Sequence, residues 1–252
     1  MAFIRGLFLA LLCVTAQADS RVSQGDGSQA GAAVTFAVPD VWPWGFEDHQ
    51  GVMQGSLVEL IARVSELSGV PVQAQLLPLR RVIRDILTGR ADFAFLFQSP
   101  ELDDNAFPVD TVLQLNLMLM ALESTDHSLT LESLAGKRVG YVRGTYLGEA
   151  FGANEAVMKV PVYNISQAVE MLLLGRISAV LASDHNLAMT IDSYDFPIEA
   201  FRFQNHVRGQ NARLYRSLAS DKHDQASRFR EALQQMRENG ELQRIFQTSS
   251  VQ

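Results

Sequence analysis

The sequence predicts an α/β protein built of two similar lobes, with the chain crossing between them twice. Three observations predict it. From Val34 onward, short apolar runs alternate with stretches of helical periodicity. The segment 82–90 (VIRDILTGR) lines up with 168–176 (AVEMLLLGR), each reading as an amphipathic helix, a Gly-Arg pair and the start of an apolar strand. A late helix, 224–238, follows the second set of strands and packs back onto the first, which requires a return crossing.

The elements follow in order. Residues 1–18 read as a secretory signal: Arg5 supplies the charge, residues 6–14 the apolar run, and Ala16-Gln17-Ala18 the small-x-small pattern, with cleavage expected before Asp19. An uncleaved anchor would need a run of about 20 apolar residues. Cys13, the single cysteine, lies in that run behind Leu12, so no lipid-anchor site is expected and the mature chain carries no thiol. Residues 19–32 (DSRVSQGDGSQAGA) have almost nothing to bury and read as a flexible leader. Gly25, Gly27 and Gly31 only approach a dinucleotide fingerprint, with no strand before them.

A strand is expected at 34–38, then a helix at 57–67, whose apolar residues at 57, 58, 60, 61, 64 and 67 lie on one face and which Gly69 ends. A strand at 72–77, a helix at 82–87 closed by Gly89 and a doubly buried strand at 91–97 come next. The second set comprises a strand at 137–142, a helix from about Thr145, a strand at 159–162, a helix at 166–174 closed by Gly175, and a strand at 177–182. The crossings fall at 113–122 and 204–215, and a last helix spans 241–246 beyond Asn239-Gly240. Lobe one is then 33–118 plus 211–252 and lobe two 119–210, each expected to carry its own sheet.

The composition is that of a globular chain: 252 residues, 47% hydrophobic and 19% charged. With 21 basic against 28 acidic residues and no basic run, nucleic acid and anionic membrane surfaces are poor partners. The five histidines (49, 127, 185, 206, 223) have no metal-ligand spacing and no Gly-x-Ser-x-Gly elbow occurs, so neither a metal nor a cofactor is expected.

Several motifs stand in a telling order. Trp42-Pro43-Trp44-Gly45-Phe46-Glu47-Asp48, then Gly51, then Gly55-Ser56-Leu57-Val58-Glu59-Leu60 form an aromatic loop followed by glycines and a helix. Leu131-Glu132-Ser133-Leu134-Ala135-Gly136-Lys137-Arg138-Val139-Gly140 leads to Gly144-Thr145, and Gly175 to Val180 is a Gly-Arg-x-x-Ala-Val run. Across essentially the whole mature chain this resembles the family-3 extracellular solute-binding proteins, receptors of polar amino-acid ABC importers. The resemblance implies the type II periplasmic-binding-protein-like fold. It also implies an exported monomer in the periplasm that takes a small polar or anionic solute and meets a membrane permease. A membrane signalling protein is the alternative partner.

Ligands of open α/β sheets sit beyond the carboxyl ends of the strands. That rule selects Trp42, Trp44 and Phe46 as a stacking wall, Arg81 (with Arg80 beside it) as an anion clamp, and Gln98 and Ser99 after the third strand. It also selects Arg143, Gly144, Thr145 and Tyr146, where a helix start would offer free N–H groups, and Ser183 with Asp184 after the last strand. Each has a bland reading too: core lid for the aromatics, surface charge for the arginines, helix capping for Thr145. Amino-acid receptors of this family carry an Arg for the α-carboxylate and an Asp for the amino group. Here Leu102 or Asp104 stands at the first place, and Ser183, with Asp184 one residue on, at the second. A standard α-amino acid is therefore a poor fit. Some relatives of this fold are enzymes, such as cyclohexadienyl dehydratases. Glu47, Asp48, His49, Glu149, Asp184 and His185 are the acid–base candidates but form no motif, so binding is expected rather than catalysis.

Overall fold

Strand β1 (Val34–Pro39) opens the described part of the chain, which comprises residues 33–126 and 128–246 of this computed structural model. The expected signal segment, its Cys13, the leader 19–32 and His127 lie outside it. A two-residue hairpin, β2 (Phe46–Glu47) and β3 (Met53–Gln54), leads to α1 (Ser56–Ser68). Then come β4 (Val72–Leu77), α2 (Leu79–Thr88), β5 (Phe93–Phe97), α3 (Pro100–Asn105) and the long β6 (Ala106–Leu122). The second set is β7 (Arg138–Val142), α4 (Glu149–Ala153), β8 (Met158–Val162), α5 (Ile165–Leu173), β9 (Ala179–Ser183) and α6 (Asp184–Ser193). The chain returns through β10 (Phe201–Ser217) and ends in α7 (His223–Glu238) and α8 (Glu241–Ile245).

Strand order is β4-β1-β5-β10-β6-β9-β7-β8. Both ends follow one plan. β1 pairs in parallel with β4 and β5, and β7 in parallel with β8 and β9. An antiparallel strand then closes each set, β10 against β5 and β6 against β9. The hydrogen bonding makes one continuous sheet, contrary to the expectation of two separate ones. The cause is the crossing segments. They are 17-residue strands, β6 and β10, which pair with each other from Phe201↔Leu122 to Ser217↔Ala106. β5 touches only residues 212–216 of this ribbon and β9 only 117–120, and the register breaks between Asn205 and Gln210. Within the sheet, the two sets of parallel strands are thus joined through an irregular two-stranded band.

Packing explains the apolar runs. In β5, Phe93 and Phe95 face α1 and α7, while Ala94 and Leu96 face α2, so both surfaces are covered and alternation disappears. Phe93 lies 5.4 Å from Phe36 and 5.0 Å from Phe229 of α7, ring centre to ring centre. In β9, Val180 and Ala182 join this same apolar cluster, whereas Ala179 and Leu181 meet Leu134, Leu147 and Phe151 on the other face. Helix α1 buries Leu57, Leu60, Ile61 and Val64, and Gly69 ends it at φ 64 with its N–H on the Glu66 carbonyl.

The helix expected from Thr145 is not there. It begins only at Glu149 and is five residues long. Gly144 and Gly148 both hold φ at 90, a value no right-handed helix allows, so the backbone between them forms a turn and an extended loop.

Candidate functional site

Where the two sets of strands face one another there is a cavity lined from both. Trp44 lines it from the loop after β1 and Ser99 from the start of α3. Gly144, Thr145 and Tyr146 line it from the loop after β7, and Ser183 and Asn186 from the start of α6. Val112, Leu113 and Ala212 of the crossing ribbon line it as well. Its volume is about 80 Å³.

Trp44 is held on every side. The N–H groups of Ser56 and Leu57, which open α1, donate to the carbonyls of Pro43 and Trp44 at 3.1 and 2.9 Å. The aromatic loop thereby caps the helix that follows it and occupies its first free amides. The Trp44 ring meets Phe97 edge-on at 6.1 Å and Phe246 at 6.0 Å, and from the second set the His185 ring at 4.4 Å. Burial drives the His185 pKa down to about 4, with the charge of Asp184 opposing the shift. Its Nε2 has no hydrogen-bond partner.

Two equivalent junctions build the polar part of the wall. After β5, the Ser99 Oγ accepts from the Leu102 N–H at 3.3 Å; after β9, the Ser183 Oγ accepts from the Asn186 N–H at 3.2 Å. Both serines are helix N-caps. Asn186 is 7% exposed and its Oδ1 finds no partner.

Of the residues selected from the sequence, Trp44, Ser99, Gly144, Thr145, Tyr146 and Ser183 meet at this cavity. The others are engaged elsewhere. Trp42 sits edge-on to Tyr194 at 6.4 Å, and Phe46 lies in the β2–β3 hairpin. Arg81 is turned to Asp85 on its own helix at 3.5 Å, and half its side chain is exposed. Gln98 ties β5 to its neighbours, donating to Asp103 at 2.6 Å and accepting from the Asn211 amide at 2.8 Å. Arg143 is exposed, 6.0 Å from the Tyr163 ring. Asp184 accepts from the backbone N–H and the Nδ2 of Asn116, both at 3.0 Å. Arg80, exposed, lays its stem against Gly144: a Cβ on that glycine would stand 3.0 Å from the Arg80 Cγ. With no helix start at Thr145, the expected anion-binding amides do not form there.

None of the six acid–base candidates lines the cavity. Asp48, its pKa held low by the Val52 and Gln50 amides, braces its own loop. Glu47, His49 and Glu149 are exposed. Among the described residues no group of three or more His, Cys, Asp or Glu could hold a metal. Asn186 escaped the sequence reading. Its signal was the Ser-x-x-Asn spacing at the end of a buried strand, which places the third residue of the new helix beside the cap.

A model of the bacterial extracellular solute-binding proteins, family 3, matches residues 34–249. Among solved structures, an ancestral arginine-binding protein bound to arginine superposes with a TM-score of 0.71 at 18% identity, covering 86% of this chain and 97% of its own. The ligand-binding core of GluR0 from Nostoc punctiforme with L-glutamate gives 0.71 at 15% identity, over 84% and 97%. A periplasmic binding protein of Salmonella typhimurium with high arginine specificity gives 0.69 at 13%, over 84% and 96%. At these identities the structural likeness speaks for the two-lobed fold alone. No curated protein sequence matches.

Proposed function

Because the chain belongs to the bacterial extracellular solute-binding proteins of family 3, we propose that it captures a small solute between its lobes, outside the cytoplasm, and presents it to a membrane permease of an ABC importer. The observation that carries this reading is the cavity between the two sets of strands, walled by Trp44 and Ser99 on one side and by Thr145, Ser183 and Asn186 on the other. A solute there touches both halves at once and so favours the closed arrangement over the open one. We place the halves at 33–118 plus 211–246 and at 119–210. The irregular stretch of the crossing ribbon, where the register breaks between Asn205 and Gln210, is the place where they can turn relative to each other.

The family supplies the general role, and the named ligands of the solved neighbours, arginine and glutamate, supply the starting panel. The chain holds two tryptophans, so Trp42→Phe leaves Trp44 as the sole reporter at the cavity. Titration with amino acids, organic acids, amides and sugars should give at least one solute that shifts Trp44 emission, raises Tm and lowers the radius of gyration by X-ray scattering. A panel that does none of the three would end the proposal.

A further inference from the structure

The walls of the cavity say what kind of solute fits, provided the solute-binding reading above holds. Among the described residues that line it, not one is charged. Its surface is overwhelmingly aliphatic and aromatic, and its polar groups are neutral: the hydroxyls of Ser99, Thr145, Tyr146 and Ser183 and the amide of Asn186. Two charged side chains near the wall in sequence are taken up elsewhere, Arg81 by Asp85 and Asp184 by Asn116, and Arg143 is exposed. Arg80 is exposed, with its stem packed against Gly144.

A carboxylate or ammonium moved from water into such walls loses its hydration and gains no counter-charge. The start of α6 does not supply one. Its first turn already holds a carboxylate, Asp184, and its cap position is filled by the Ser183 hydroxyl, so its partial positive charge is already complemented. A neutral hydrogen-bonding group meets the opposite situation. The Asn186 Oδ1 is a buried acceptor without a partner, and a solute N–H or O–H brought to it removes an unmet group.

We infer that this cleft selects a small uncharged solute, apolar over most of its surface and bearing an amide or hydroxyl, and that it rejects carboxylates and zwitterionic amino acids.

The test uses the whole protein and matched solutes on one skeleton at pH 7: 3-methylbutanamide, 3-methylbutanoate and valine, with arginine and glutamate beside them. A second set pairs further neutral amides and alcohols with the acids and amines of the same carbon count. Calorimetry and thermal shift should find the neutral member of a pair bound at least tenfold more tightly than its charged counterpart. Asn186→Leu should weaken the amides tenfold or more while leaving the unliganded Tm within a few degrees. If the carboxylate, valine, arginine or glutamate binds as tightly as the neutral solutes, the inference fails and the solute-binding reading survives. Asn186→Leu leaving amide affinity unchanged overturns the assigned contact. If neither the neutral nor the charged set binds, the inference fails, and the solute-binding reading is decided by the wider panel above, sugars included.

Discussion

His185 carries the most instructive single side chain. Its ring rests 4.4 Å from Trp44 across the two halves, and 6.3 Å from Phe246. Burial favours the uncharged imidazole, so its pKa lies near 4 in the folded protein, below the ordinary 6.5. Between those values the unfolded chain takes up a proton that the folded one refuses. Stability is therefore fully present above pH 6.5 and declines as pH falls toward 4, by up to about 3 kcal/mol. His185→Phe keeps an aromatic ring on Trp44 and removes the titration. Urea midpoints across pH 4–7 should slope less in the variant, and identical slopes in the two proteins would refute the assignment.

Among the elements, the pairing of the aromatic loop with α1 is the tightest fit. Gly55 holds φ at 121, and a Cβ there would stand 2.5 Å from the Trp44 carbonyl oxygen and 2.8 Å from that of Pro43. Those atoms are backbone and cannot swing away. Gly55→Ala is expected to cost about 2–4 kcal/mol, as an overpacked and strained site, and to change the Trp44 emission because the loop must shift. A denaturation midpoint and spectrum like those of the parent would contradict this. How much was legible in the sequence follows the same physics. Gly69, Gly89 and Gly175 announced the helix ends because each supplies a left-handed residue just past the last turn, at φ 64, 75 and 65. β4 was bounded to the residue, since a proline on either side, Pro71 and Pro78, punctuates it. The helix at Thr145 was misread because a strand followed by Gly-Thr satisfies the local rule, and only the backbone of Gly144 and Gly148 reveals that the chain cannot wind there. The cleft was half legible. Strand ends marked Trp44, Ser99 and Ser183, but Arg81 is claimed by an acidic residue one helical turn away, which strand-end reasoning ignores.

At the level of the whole molecule, the described residues cohere as one unit. An apolar cluster runs from Phe36, Phe93 and Leu233 through Trp44 to Ile165, Val180 and Leu187. Sequence periodicity found both sets of strands but took their connections for simple crossings, because a 17-residue antiparallel pairing between residues nearly 100 apart leaves no local mark. The first half is completed from the far end of the chain: β10 closes the edge of β5, and α7 lays Phe229 against Phe36 and Phe93. Residues 33–122 alone therefore lack both an edge strand and the cover of their largest apolar face. That fragment should show no cooperative thermal transition by circular dichroism; a sharp one would contradict the account.

The same return strand bears on how the protein is made. A nascent chain emerging from the ribosome has β5 early, yet its antiparallel partner, Ala212 to Arg216, and the cover of α7 follow more than 100 residues later. Translation order and folding order are thereby uncoupled. The first half therefore closes only after the second has been made.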